Sequence, residues 1–223
     1  MPGKAALLLS FDVAPEAIPE HDDWHTREHL PERLSIAGFL RGTRWVSDRG
    51  QPRYFVIYEV AGIEVLTSAA YLERLNNPTP WTAKMMPHYR GMRRGLCAVA
   101  GGFGAGIGHA CGLVRFKPGS DADSTRRWLL EEALPAIPAS RGVGSVRLFE
   151  SAAAAPMTNE QRIRGADAGF DWAIVVIGYS EDLVRSSAQA SLRRRQFEAR
   201  GATGVLDATY RLDYSLTREE AAA

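Results

Sequence analysis

Apolar residues occupy both alternating positions through residues 4–13, a pattern that predicts a strand covered on both faces. Pro15 and Pro19 then break the chain, and Asp22-Asp23 place acidic side chains in the first turn of a helix running to about Leu30. Pro31 sits badly inside an unbroken helix and predicts a kink or restart there. Gly38 closes that helix, residues 39–46 read as a second strand, Asp48-Arg49-Gly50 as a turn, and residues 54–60 as its hairpin partner. A helix over about 63–75 and a strand over 95–103 complete the first half. The second half repeats the order, with strands at 109–116, 143–150, 170–179 and 208–215 and helices at about 124–134 and 181–200.

This periodicity is matched by an echo in the residues themselves. Trp24, Glu28, Leu30-Pro31 and Gly38 reappear 104 positions later as Trp128, Glu132, Leu134-Pro135 and Gly142. One βαββαβ unit, the split-βαβ or ferredoxin-like motif, is therefore written twice, over residues 1–103 and 104–223. The fold class expected is α+β, two tandem ferredoxin-like units with their sheets packed face to face within one chain. Apolar strands at 7–11 and 174–177 favour that over two independent domains, whose wet sheet faces require stricter polar alternation.

Three segments break the symmetry. Gly101–Gly108 joins the halves and lacks the GxGxxG register and strand–helix context of a dinucleotide site. Residues 151–169 widen the second hairpin, as a lid or simply a long loop. Residues 78–94 are an insertion in the first half, where Trp81, Met85, His88 and Met92 recur at helical spacing. They read either as an amphipathic helix patching the core or as a wall over a pocket.

His21, His25 and His29 lie four apart, so on one helix they form a stripe. The counterparts of His25 and His29 are Leu129 and Ala133, so the pair belongs to the first half alone. Neutral imidazole takes or gives a proton near neutral pH, which makes His25 and His29 the candidate catalytic residues. An i,i+4 imidazole pair also chelates metals, yet no second cluster supplies further ligands, so no metal site is assigned. Glu28 and Trp24 have twins, and a fold role explains both copies. Arg44 maps to Leu148; a charge on an apolar strand needs an acidic partner or an anionic ligand group. Arg44, Tyr58, Trp81 and His88 are the candidate substrate-binding residues.

Composition narrows the classes. With 27 basic and 26 acidic residues the net charge is +1, and the arginine clusters are short and scattered, which speaks against nucleic-acid binding. No apolar stretch approaches transmembrane length and the N-terminal run is too short for a signal peptide, so a cytoplasmic protein with no membrane partner is expected. Cys97 and Cys111 lack metal spacing and read as buried free thiols. The remaining partner is a small hydrophobic molecule; homodimerisation of the fused pair is left open.

The string from His21 to Leu34, with Trp24-His25, Glu28-His29 and Pro31, followed by Gly38-Phe39 and Arg44-Trp45, resembles the dimeric α/β-barrel superfamily and within it the EthD-like proteins. The resemblance implies a ferredoxin-like fold whose sheets meet as a barrel, with a ligand cleft between helices and sheet. It also implies cofactor-free cyclase, isomerase, dehydratase or monooxygenase chemistry on a hydrophobic or aromatic compound, with haem or a divalent metal as the less favoured alternative. A non-catalytic ligand-binding or stress-related barrel is the rival from another class.

Overall fold

In a computed structural model, residues 3–47, 50, 52–152 and 157–223 are described. Asp48 and Arg49 of the expected turn, and residues 153–156 of the widened hairpin, lie outside them. The first half runs β1 (Ala5–Val13), α1 (Ile18–Trp24), α2 (Leu30–Ser35), β2 (Phe39–Val46), β3 (Tyr54–Val60), α3 (Ala69–Asn76), α4 (Pro80–Met85) and β4 (Tyr89–Gly104). The second half runs β5 (Ala110–Lys117), α5 (Ala122–Trp128), β6 (Val143–Ser151), α6 (Asn159–Arg164), the short β7 (Ala168–Gly169), β8 (Trp172–Gly178), α7 (Glu181–Ser191), α8 (Arg194–Glu198), β9 (Thr203–Thr217) and α9 (Arg218–Ala221). No helix of the described residues is long and apolar enough to cross a membrane.

Two compact units emerge. One comprises Pro2–Ala98, Ala152–Gly169 and Asp213–Ala223; the other comprises Val99–Ser151 and Phe170–Leu212. In the first, β1 pairs antiparallel with β3 and β4, and β3 with β2, giving the order β4-β1-β3-β2. In the second, β5 pairs with β8 and β9, and β8 with β6, giving β9-β5-β8-β6. These are the same ferredoxin-like sheet drawn twice. Every residue of β3 and of β8 is buried, as their two-sided apolar patterns require.

The registers align the repeats residue by residue. Leu7 and Gly42 flank Tyr58 across the first sheet, as Gly112 and Val146 flank Val176 across the second. Tyr58 is therefore another first-half addition, on a position that is valine in the other copy. Gly42 lets the helix approach: a Cβ there would stand 2.2 Å from the Leu30 side chain. The echoed Gly38 and Gly142 have a physical reason in φ values of +92° and +86°, which only glycine adopts without strain.

The α-helix is interrupted ahead of Pro31 and restarts at Leu30, with the proline in its first turn. Between α1 and α2 the chain makes a π turn over His25–His29, in which the Leu30 N–H donates to the His25 carbonyl five residues back. Its twin is a π turn over Leu129–Ala133, where Leu134 N–H donates to Leu129 O at 2.9 Å. Proline has no N–H, and its ring crowds the carbonyl four residues earlier; one extra residue in the turn relieves both problems. The wider turn is thus a property of Leu-Pro and of the fold.

The inserted segment is less helical than its spacing predicts. After α4 a 3-10 turn covers Met86–His88 and Tyr89 begins β4, so Met92 lies on a strand. Pro87 accompanies the change: it has no N–H to continue the α-helical hydrogen-bond ladder, although Met86 before it keeps helical angles. The helix expected over 63–75 is likewise divided, with a 3-10 turn at Ile63–Thr67 and α3 starting after Ser68, whose side chain caps Tyr71 N–H. The widened hairpin of the second half folds onto the first-half unit. Ala152 N–H donates to Leu96 O at 2.7 Å, Asn159 donates to Asn76 O at 2.6 Å, and β7 pairs parallel with β4.

Candidate functional site

The three histidines are buried beneath one helix and satisfied to different degrees. His21 Nδ1 donates to Asp22 Oδ1 at 3.0 Å, so its Nε2 accepts from the Tyr89 hydroxyl at 3.2 Å. Tyr54 O–H closes this chain on the same Asp22 oxygen at 2.8 Å. His21 is a fully partnered core histidine. His25 meets only Tyr58, Nε2 to hydroxyl at 3.2 Å, and its buried Nδ1 has no partner. The Nδ1 of His29 is also without a hydrogen bond and faces Glu32 Oε2 at 4.0 Å. The His25 and His29 rings are 5.6 Å apart, and Trp24 lies 4.4 Å from His29.

Electrostatics keep this pair neutral. Burial pushes the pKa values of His25 and His29 well down, and the cationic Arg44 and Arg33 reinforce it for His25, Arg33 for His29. His21 is also lowered by burial, against the opposing hydrogen bond to Asp22. Tyr58 is pushed well up by burial, so its phenol stays protonated. The His25–Tyr58 hydrogen bond runs from the phenol to Nε2 or from Nε2–H to the phenol oxygen, according to the His25 tautomer. For His29, a proton on Nδ1 faces Glu32, leaving Nε2 as the basic nitrogen.

His25, His29 and Tyr58 line a cavity of about 30 Å³. Its other walls are β1 through Leu7 and Leu9, α3 through Tyr71 and Leu75, and α6 through Glu160 and Arg164. Arg33, 2% exposed, donates to Glu160 at 2.5 Å and to Glu32 at 3.2 Å. Burial works against the Arg33 charge, but Glu160, Tyr71 and Glu32 outweigh it and raise its pKa. Arg164 is held by Asp167 at 2.7 Å and lies over the Tyr89 ring. The hairpin insertion of the second repeat therefore roofs the first repeat's cavity.

The other expected ligand contacts fall elsewhere. Arg44 has found the acidic partner its burial demands, Asp213 at 2.6 Å, and also donates to Asp22 O and Thr26 Oγ1. Trp81 is half-buried and donates to Glu20 at 3.1 Å. His88 is half-buried, and neither it nor Trp81 lines the cavity. Glu28 accepts from Trp24 and Thr79, whereas its twin Glu132 is exposed, so one letter serves two environments. Cys97 and Cys111 are buried free thiols, Cys97 pushed up to about 12 by burial.

Helix spacing places Glu32 near the histidine pair, whereas Arg33 and Glu160 are not among the expected site residues. Two of them carry a signal: at the 104-residue offset Glu32 and Arg33 map to Ala136 and Ile137, so they too are first-half additions. Glu160 carries none, since its partner lies 127 residues away in the chain. Among the described residues no group of three or more His, Cys, Asp or Glu is gathered to hold a metal ion.

No family model matches the chain, and no curated protein does. Solved structures do. An anthrone oxidase-like protein superposes with a TM-score of 0.70 at 12% identity, over 98% of this chain and 95% of that one. A monooxygenase-like protein from Listeria innocua gives 0.51 at 10% identity over 95% of both chains. A mutant chlorite dismutase from Candidatus Nitrospira defluvii, in complex with cyanide, gives 0.58 at 10% identity over 94% and 90%. At such identities the likeness is one of fold, and it spans the whole chain. The fold shared with them is two tandem ferredoxin-like units carried by a single chain.

Proposed function

We propose that this protein is a small-molecule enzyme that abstracts a proton from a hydrophobic, aromatic carbon acid without a cofactor. The observation that carries the reading is the neutral, incompletely hydrogen-bonded His25–His29 pair opening on the cavity under α6. In this reading His29 Nε2 is the base, and Glu32 steadies the imidazolium through Nδ1. The Tyr58 phenol, turning its proton from His25 to the substrate, and the positive charge of Arg33 stabilise the negative charge developing on the substrate oxygen. The resulting anion then cyclises, isomerises, eliminates or meets dioxygen, according to the substrate. A ligand pocket normally spans about 300–1,000 Å³. Admission therefore requires α6 to swing away and Arg33 to part from Glu160.

The name of the anthrone oxidase-like neighbour suggests the first probe. Anthrone and a panel of related aromatic ketones, held in deuterated water without oxygen, report proton abstraction by deuterium uptake at the acidic carbon. The protein is expected to accelerate uptake, and His29→Gln to lose about 100-fold or more of that acceleration. Acceleration of no compound, or parent rates in both His25→Ala and His29→Gln, would overturn the reading. The small volume of the cavity favours a second reading, a non-catalytic barrel with a buried polar core, and that outcome would support it.

A further inference from the structure

The second unit holds a space of which the proposed chemistry makes no use. A groove of about 290 Å³ lies between α7 and the β5–β9 side of the sheet. Its floor is aliphatic: Val114, Ala188, Leu192 and Val205 are all buried. Its rim carries Arg185, Arg193 and Arg194 against the single carboxylate of Asp207. Two features of the repeat explain why the space is open here. Gly112 stands where the first unit has Leu7, and α6, which roofs the first unit's cavity, belongs to that unit. No imidazole or thiolate lines the groove, so it is not built as a metal centre.

We propose that this groove binds an amphipathic aliphatic carboxylate, its chain along the valine and leucine floor and its head group at the arginine rim. An aliphatic floor with no aromatic side chain suits a flexible hydrocarbon chain better than a ring needing stacking partners. The rim charge selects the anion. Arg193 and Arg194 are exposed, and a guanidinium fork matches the two oxygens of a carboxylate. Arg185 is already tied to Asp182 and Arg193 donates through Nε to the Ala190 carbonyl, so Arg194 has the leading role, with Arg193 beside it.

Decanoate, decanol and decyltrimethylammonium, each below its micelle concentration, separate the contributions in calorimetric titrations of the full chain. Decanoate is expected to bind about fivefold or more tightly than decanol, an advantage that shrinks with added salt. The cationic amphiphile should bind most weakly. Arg193→Glu with Arg194→Glu should erase the preference, and Ala188→Trp should fill the groove and abolish binding while circular dichroism stays unchanged. Equal affinity for the three probes, decanoate binding that survives Ala188→Trp, or no binding at all would overturn the proposal. So would a dimer that forms with rising protein concentration and is dissolved by Ala188→Trp, which assigns the groove to a second copy.

Discussion

At the residue scale, burial lowers the pKa values of His21, His25 and His29, and this sets a pH dependence for the whole molecule. Each imidazole binds its proton less readily in the folded chain than in the unfolded one. Their contribution to stability is therefore complete above the unfolded pKa of about 6.5 and is lost as pH falls below it. Each histidine steepens the loss by up to about 1.4 kcal/mol per pH unit in that window. Asp22 is also lowered, by His21 and Arg44 against the burial that opposes them, but its stabilisation disappears only in the lower carboxylate range. Urea unfolding at pH 7.5, 6 and 5 should show a falling midpoint, and His29→Gln should flatten the fall. A slope identical in parent and variant would show that His29 is not held neutral by the fold.

At the scale of elements, the cap and the helix beneath it meet through Arg33 and Glu160. A buried ion pair contributes little net stability, but removing one partner strands the other charge and costs about 3–5 kcal/mol. Glu160→Ala should therefore destabilise the protein strongly, and adding Arg33→Leu should recover most of the loss in a double-mutant cycle. Additive losses would mean the two side chains do not depend on each other. The π turn belongs to this scale as well. It occurs in both repeats, with and without histidines, so the fold supplied a widened turn and the first half alone placed imidazoles on it.

At the scale of the molecule, the second repeat gives up its hairpin insertion to the first. Replacing residues 152–169 by a short Gly-Ser turn should leave the other unit intact and expose the histidine pair. Carbethoxylation by diethyl pyrocarbonate, followed by peptide mapping, checks this: His25 and His29 should go from protected to reactive. Protection that persists without the segment would remove α6 as the cap.

The strand pattern and the 104-residue echo determined the fold class, because apolar periodicity and turn glycines are local requirements that each repeat must meet alone. The same comparison isolated His25 and His29, and extended to Glu32 and Arg33 it marks two of the charged residues around them, but not Glu160 or Arg164. Tertiary structure decided the rest. Arg44 looked like an anion site until Asp213 stood beside it, and Glu160 looked like a loop residue until it met Arg33. Buried charges choose partners through space, and those partners lie 169 and 127 residues away, beyond the reach of any local pattern.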